Sequence, residues 1–285
     1  MSTSSYTSFA VFGAGTIGSP IIAGLAAKPN ISVVAIGRPG SKSLQNLPAG
    51  AKAAAVDSAD AAALSAVLKE HRVDVVVSAL GTHGIAAQAS IARVAKDAGV
   101  KLFVLSEFGF PTAGHKVGMF GDKNNAAEEL KNIGLPSLRI YTGVFMEVIP
   151  LAFGYAQHKK FTIVGSGEVP VSMTSIGDIA GFTVHVLTTL PSSQLENKTF
   201  RIQGQRLKLN ELGPIFNTTV EHVEELEGPM AKELKGLMLI ADSGAGSTGW
   251  DGEAGKEGTG DAAAGSANKF WEGHQWKTVK EVHNL

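Results

Sequence analysis

Glycines at positions 13, 15 and 18 punctuate the run from Phe9 to Gly18, FAVFGAGTIG, where an apolar strand gives way to a helical pattern. Gly13 can make a tight turn, Gly15 can let the main chain approach a pyrophosphate, and Gly18 can let helix and strand pack closely. With Thr16 and Ile17 at its entry, the helix then offers unpaired N–H groups and a positive dipole end to phosphate. The spacing predicts a dinucleotide site. Roughly twenty residues further on, where NAD-preferring sites place an acid against the ribose 2′-hydroxyl, the chain has Arg38. A guanidinium grips a 2′-phosphate through paired donors, and Ser41 and Lys42 follow in the same loop. NADPH/NADP is therefore the expected cofactor. Asp57, at the end of the third strand candidate, is placed to approach the adenine or to cap the next helix. Ser78, Ala79, Leu80 and Gly81 close the fourth strand candidate, with His83 just beyond, and such strand ends border the crevice where ligands sit in open parallel sheets.

A second group of residues could do proton chemistry. The fifth strand candidate ends in Ser106, Glu107 and Phe108, read as cofactor contacts, and the next helix carries Lys123. In ordinary short-chain dehydrogenases a strand-end serine is followed on the next helix by a tyrosine and, one turn later, by a lysine. Here the lysine is present, while Met119 stands where the tyrosine would be. A cation at Lys123 can bond the nicotinamide ribose and stabilise or protonate an oxygen beside the carbon that receives hydride. Tyr155 and Lys159 repeat the tyrosine–lysine spacing, but after the sixth strand candidate, away from the expected nicotinamide position. No histidine pair at helical spacing suggests a metal, and no G-x-S-x-G elbow suggests a hydrolase.

These residues need a scaffold that brings strand ends together. The expected strands are SFAVFG, ISVVAIG, KAAAV, VDVVVSAL, VKLFVLS and PSLRIY, alternating with helices at Ile17 to Lys28, Asp60 to His71, Gly84 to Ala98 and Met119 to Ile133. That alternation predicts an α/β doubly wound parallel sheet of the NAD(P)-binding Rossmann type over residues 1–145. Residues 146–285 are expected to form a smaller substrate-binding lobe, with a helix near Met146 to His158, strands near Phe161 to Val164 and Val169 to Ser172, and a helix from Ser175 to Leu190. Within it, 242–266 holds eight glycines and one aromatic residue, a composition expected to give a mobile loop. The 285 residues are 44% hydrophobic and 18% charged, enough apolar surface for a large core. Lys plus Arg number 25 against 26 Asp plus Glu, a balance that argues against nucleic acid or an anionic membrane as partner and for a small molecule. The absence of cysteine excludes disulfides and thiolate metal sites. With no signal-like start and no membrane-length apolar run, a cytoplasmic protein is expected, and a homodimer is compatible with the composition.

With the glycine motif, Arg38, Ser106 to Gly109 and Lys123 in place, the chain resembles the NmrA-like branch of atypical short-chain dehydrogenases, in particular the isoflavone reductase and phenylcoumaran benzylic ether reductase group. Gln88, the Gly165 to Gly167 turn, Ile176 to Ile179 and the final segment from Trp276 to Val282 extend the likeness nearly end to end. The resemblance implies a Rossmann domain, NADPH, and an active-site lysine that maps to Lys123. The family's Gly-x-x-Gly-x-x-Gly fingerprint is replaced here by G-x-G-x-x-G, and the stretch from Ser106 to Lys123 is shorter than in the plant enzymes. The expected activity is NADPH-dependent hydride transfer to a small aromatic substrate, with Lys123 as general acid or oxyanion stabiliser. Phe108, Phe110, Phe145, Met146 and Phe153 are the candidate apolar lining of a pocket between the sheet edge and the smaller lobe. The rival expectation is a non-catalytic redox sensor that binds NADP(H) and signals to a protein partner.

Overall fold

Short apolar runs rich in valine and isoleucine become the strands of the computed structural model, which describes residues 6–285. They are β1 (Ser8–Phe12), β2 (Ser32–Gly37), β3 (Ala51–Ala55), β4 (Val75–Ser78), β5 (Leu102–Val104) and β6 (Ser137–Tyr141). The crossovers carry α1 (Gly18–Ala26), α2 (Ala61–Glu70), α3 (Gln88–Asp97) and α4 (Gly118–Asn132). From neighbour to neighbour, the sheet runs β6-β5-β4-β1-β2-β3, with a seventh strand, Lys198–Arg201, outside β6. Each of the five pairings among β1 to β6 is parallel. Because β1 lies between β2 and β4, the chain first winds to one edge and then returns to wind to the other. That reversal opens a crevice at the carboxyl ends of β1 and β4.

Both faces of the sheet are covered, as an all-parallel sheet requires. Ala10, Phe12, Val34, Ile36, Val76 and Phe103 join Leu64, Leu68, Ile91 and Leu130 of the helices in one core. Their strand neighbours Phe9, Val11, Val33 and Val75 are equally buried and, by the two-residue period of a strand, face the other side. Asp60 caps α2 by accepting from Ala63 N at 2.9 Å.

The chain divides into two units, and the division is interleaved. One unit holds the described residues through Glu107, together with Gly114–Ile140 and Ala180–Phe200; the other holds Phe108–Ala113, Tyr141–Ile179 and Arg201–Leu285. The expected break between residues 145 and 146 is thus displaced. Ala180–Phe200 returns to the first unit because Val184 packs on Gly24, where an added Cβ would stand 2.8 Å away. Glu196 also takes the hydroxyl of Tyr6 at 3.0 Å.

In the second unit, strands Gln205–Lys208, Pro170–Thr174 and Val144–Phe145 form one sheet in that order, and Val220–His222 pairs in parallel with Phe161–Ile163. The single helix expected over Met146 to His158 is broken into a 3-10 turn, Met146–Val148, and two short helices, Ile149–Ala152 and Tyr155–His158. Gly154, at φ 79°, makes the break.

The glycine-rich stretch also departs from expectation. Ser247 and Thr248 are fully buried, Thr248 N donates to Ser172 Oγ at 3.0 Å, and Ser172 N donates to Gly246 O at 3.1 Å. A small hairpin, Trp250–Asp251 with Lys256–Glu257, closes the stretch. Most of its glycines serve packing: a Cβ at Gly249 would meet Glu257 Oε1 at 2.1 Å, and one at Gly244 would meet the Trp250 ring at 2.7 Å. Residues 251–256, around the hairpin tip, and 259–261 beyond it are exposed throughout. Among the described residues no helix is long and apolar enough to cross a membrane.

Candidate active site

The three glycines of the first turn do three different jobs. Gly13 sits at φ 91°, donates to Ile36 O at 2.9 Å, and leaves no room for a Cβ, which would lie 2.8 Å from Ala79 O. Gly18 is tighter still, since its Cβ would fall 1.8 Å from Gly13 O. Around Gly15, by contrast, nothing lies within 4 Å of where a Cβ would be. Protein packing therefore demands Gly13 and Gly18 and leaves the space over Gly15 open. Gly15 and Thr16 are exposed, whereas the Ile17 side chain is buried, so Ile17 has only its main chain to offer a ligand. No side chain caps α1, and although Ser19 N donates to Gly15 O at 2.9 Å, a helix start without a side-chain cap suits an anion. Ser19, which the sequence reading passed over, fastens this turn by donating from Oγ to Ala14 O at 2.7 Å.

Arg38 follows β2 in an exposed turn closed by Ser41 N to Arg38 O, and its guanidinium has no ion-pair or hydrogen-bond partner among the described residues. Ser41 and Ser43 hydroxyls meet at 2.9 Å, and Lys42 is exposed beside them. Asp57 binds its own loop, accepting from Ala59 N at 3.0 Å, and the helix cap is Asp60 rather than Asp57. His83 is exposed on the turn Thr82–Ala87 that follows Gly81.

At the end of β4, Ala79 N donates to Phe12 O at 2.8 Å and keys β4 to β1. Leu80 O accepts from Ser106 Oγ at 2.7 Å, and Ser106 N donates to Gln88 Oε1 at 2.8 Å, which draws together the ends of β4 and β5 and the start of α3. Ser78 Oγ and Gln88 Nε2 are buried without a hydrogen-bond partner among the described residues. Buried polar atoms are seldom left so, and these two sit beside the crevice.

Lys123 is buried, at 8% exposure, and its Nζ donates to Glu107 O at 2.5 Å. Burial holds its ammonium below the usual lysine range, while the nearby Glu107 carboxylate opposes that shift. A solvated surface lysine is thereby excluded. The Glu107 side chain is wholly buried and accepts from Arg139 Nε at 2.9 Å. Arg139 Nη2 in turn donates to Asn124 Oδ1 at 3.1 Å. Neither Arg139 nor Asn124 was singled out from the sequence, although an arginine inside the apolar strand run PSLRIY was a signal that something buried must receive it.

The candidate apolar residues all belong to the second unit. Phe108 turns at φ 24°, uncommon for a bulky residue, and the following Gly109 O accepts from both Thr142 N and Gly143 N. Phe108, Phe110 and Phe153 are nearly buried and Phe145 is half-buried. Met146 is fully buried, with its O accepting from His283, and takes a place in the core. Tyr155 stacks on Phe161 at 5.2 Å and touches Phe216, with the Lys159 ammonium 5.7 Å from its ring. An aromatic cluster accounts for that tyrosine–lysine pair.

The open space over Gly15, the uncapped helix start and the free Arg38 guanidinium fit a dinucleotide with a 2′-phosphate. The profile of the NmrA-like family matches residues 7–282. The probable pinoresinol-lariciresinol reductase 3 of Arabidopsis thaliana is 26% identical over 185 residues, covering 60% of this chain and 59% of its own length. Phenylcoumaran benzylic ether reductase PT1 of Pinus taeda is 29% identical over 182 residues, covering 60% and 58%. The chain thus spans under two thirds of the length of these relatives. A solved structure, the binary complex of leucoanthocyanidin reductase with NADPH from Vitis vinifera, shares the fold at a TM-score of 0.77 and 21% identity over 97% of this chain and 98% of its own.

Proposed function

The chain belongs to the NmrA-like family, and from that premise we propose that it is an NADPH-dependent reductase acting on a small aromatic substrate. The observation that carries the proposal is the buried Lys123 with its Nζ fixed at the carboxyl end of β5. Reductase names among the relatives support it. When bound, NADPH supplies the hydride. The turn from Gly13 to Gly18 and the start of α1 hold the pyrophosphate through main-chain N–H groups. Arg38 takes the 2′-phosphate, with Ser41 and Lys42 as further donors. Lys123 holds a proton at Nζ for the substrate oxygen and bonds the nicotinamide ribose. Its lowered proton affinity suits transfer near neutral pH better than an ordinary lysine would.

The test is anaerobic incubation with NADPH and a panel of aromatic ketones, enones, quinones and benzylic ethers, watched at the nicotinamide absorbance band. Oxidation of NADPH by at least one member, lost about a hundredfold in Lys123→Met while NADPH binding persists, is the expected result. Wild-type turnover in that variant sinks the role of Lys123. Cofactor binding with no oxidation by any member, accompanied by different affinities for NADPH and NADP⁺, replaces the reductase with a redox sensor.

A further inference from the structure

Three charges and one amide form a closed, largely buried ring: Lys123 Nζ to Glu107 O at 2.5 Å, Glu107 Oε1 to Arg139 Nε at 2.9 Å, Arg139 Nη2 to Asn124 Oδ1 at 3.1 Å, and Asn124 back to Lys123 along α4. The side chain of Glu107 is 0% exposed and that of Arg139 14%. We propose that the Glu107 carboxylate, paired with Arg139, is the counter-ion that holds Lys123 as an ammonium, so that Glu107 and Arg139 are positioning residues for the proton at Nζ.

The physical case begins with the lysine. A buried ammonium tends to lose its proton, because the apolar surroundings solvate the charged form poorly. A nearby anion opposes that tendency, and an anion inside protein survives only with a cation or donors of its own. The main-chain carbonyl of Glu107 takes the ammonium, which keeps the carboxylate of the same residue in its neighbourhood, and that carboxylate takes the guanidinium in a charge-assisted bond. The other candidates on the elements around α4 are engaged elsewhere or remote in effect. On α3, Arg93 pairs with Glu129 at 2.7 Å and Lys96 donates to Gly134 O. His83 on the turn before α3, Asp97 on α3, and Asp122, Glu128 and Lys131 on α4 itself form no hydrogen bond or ion pair with Lys123 among the described residues. With two cations and one anion, the ring is left one positive charge in excess, the sign required beside a developing oxyanion.

The role in turnover rests on the reductase reading above, but the charge state of Lys123 does not, and it is measurable without substrate. The experiment is an NMR titration of the full chain labelled with 13C at lysine Cε, with the Lys123 resonance assigned by its loss in Lys123→Met. Glu107→Gln should move the Lys123 midpoint down by about one pH unit or more, the scale for removing an opposite charge at close range. Arg139→Met should move it the same way, since a buried carboxyl without the guanidinium favours its neutral form, while Arg139→Lys should stay near wild type. Should Glu107→Gln fail to fold, the two Arg139 variants alone decide. An unmoved midpoint in Glu107→Gln, or an upward one in Arg139→Met, overturns the proposal. If the midpoints move as expected but the alkaline limb of turnover does not follow them, the counter-ion stands and the proton role of Lys123 falls.

Discussion

Gly15 and Gly18, two letters of one motif, are opposite cases in the fold. A methyl at Gly18 collides with Gly13 O, whereas a methyl at Gly15 meets no protein atom. Gly18→Ala should therefore destabilise or unfold the first unit, and Gly15→Ala should melt within a degree or two of wild type yet bind NADPH more than about tenfold more weakly, because its methyl fills the space reserved for the pyrophosphate. Thermal melts together with cofactor titration separate the two, and equal damage to stability in both would remove the ligand from the explanation. Arg38 makes the complementary case at the adenosine end. Its exposed, unpartnered guanidinium has no structural work to lose, so Arg38→Ala should leave the melt unchanged, weaken NADPH binding roughly ten- to hundredfold and leave NADH nearly as before. An equal loss for both cofactors would show that Arg38 does not read the phosphate. These residues were legible because each is fixed by short-range spacing. Gln88, Asn124 and Arg139 acquire their partners only when α3, α4, β5 and β6 are assembled, and nothing local marks which buried group each will meet.

At the scale of elements, legibility followed the strength of the periodic signal. β1 to β6 and α1 to α4 have long apolar runs or clear helical faces and fall where the pattern put them. The edge strand Lys198–Arg201 was missed because KTFR has two cations in four residues and is set by pairing with β6, not by its own propensity. The glycine-rich stretch misled for the converse reason: low apolar content was read as lack of a core, while most of its glycines are sites of close approach. Ser172 is the hinge of that approach, donating to Gln203 Oε1 at 2.8 Å and accepting from Thr248 N. Ser172→Ala strands a buried N–H and should cost about 1 to 3 kcal/mol in urea unfolding. Trimming the exposed tip at 252–255 to a two-residue turn should change stability by no more than about 0.5 kcal/mol. If the two variants cost the same, the stretch is held as a whole and the division between pinned base and free tip is wrong.

At the scale of the molecule, a chain that leaves one unit and returns to it cannot be divided by composition, which sees only neighbours in sequence; the return of Ala180–Phe200 depends on Val184 meeting Gly24. Each unit nevertheless carries its own carboxylate clasp, and the two clasps share one dependence on pH. Asp74 accepts from Thr7 N at 3.0 Å, Ser8 N at 3.2 Å and Lys101 Nζ at 2.7 Å, tying the starts of β1, β4 and β5. Asp242 accepts from Ser166 Oγ at 2.6 Å and N at 2.8 Å and from Gly167 N at 3.0 Å. Burial alone would raise both carboxyls, but Lys101 and the two N–H groups outweigh it at Asp74, and the Ser166 and Gly167 donors outweigh it at Asp242, so both lie below the usual carboxylate range. A carboxyl depressed on folding contributes stability that is complete above its unfolded value, near 4, and is lost as pH falls through the folded one. Stability from these groups should therefore be flat from pH 7 to about 5 and decline below about pH 4. Asp74→Asn isolates one clasp: it should cost about 1 kcal/mol at pH 7, toward the low end for charge-assisted bonds because the exposed Lys101 is screened by water, and should lose less than wild type between pH 5 and pH 3. Urea unfolding at the three pH values reads both quantities, and a variant that keeps the full acid slope of wild type would show that the pH dependence of the fold lies in other carboxylates.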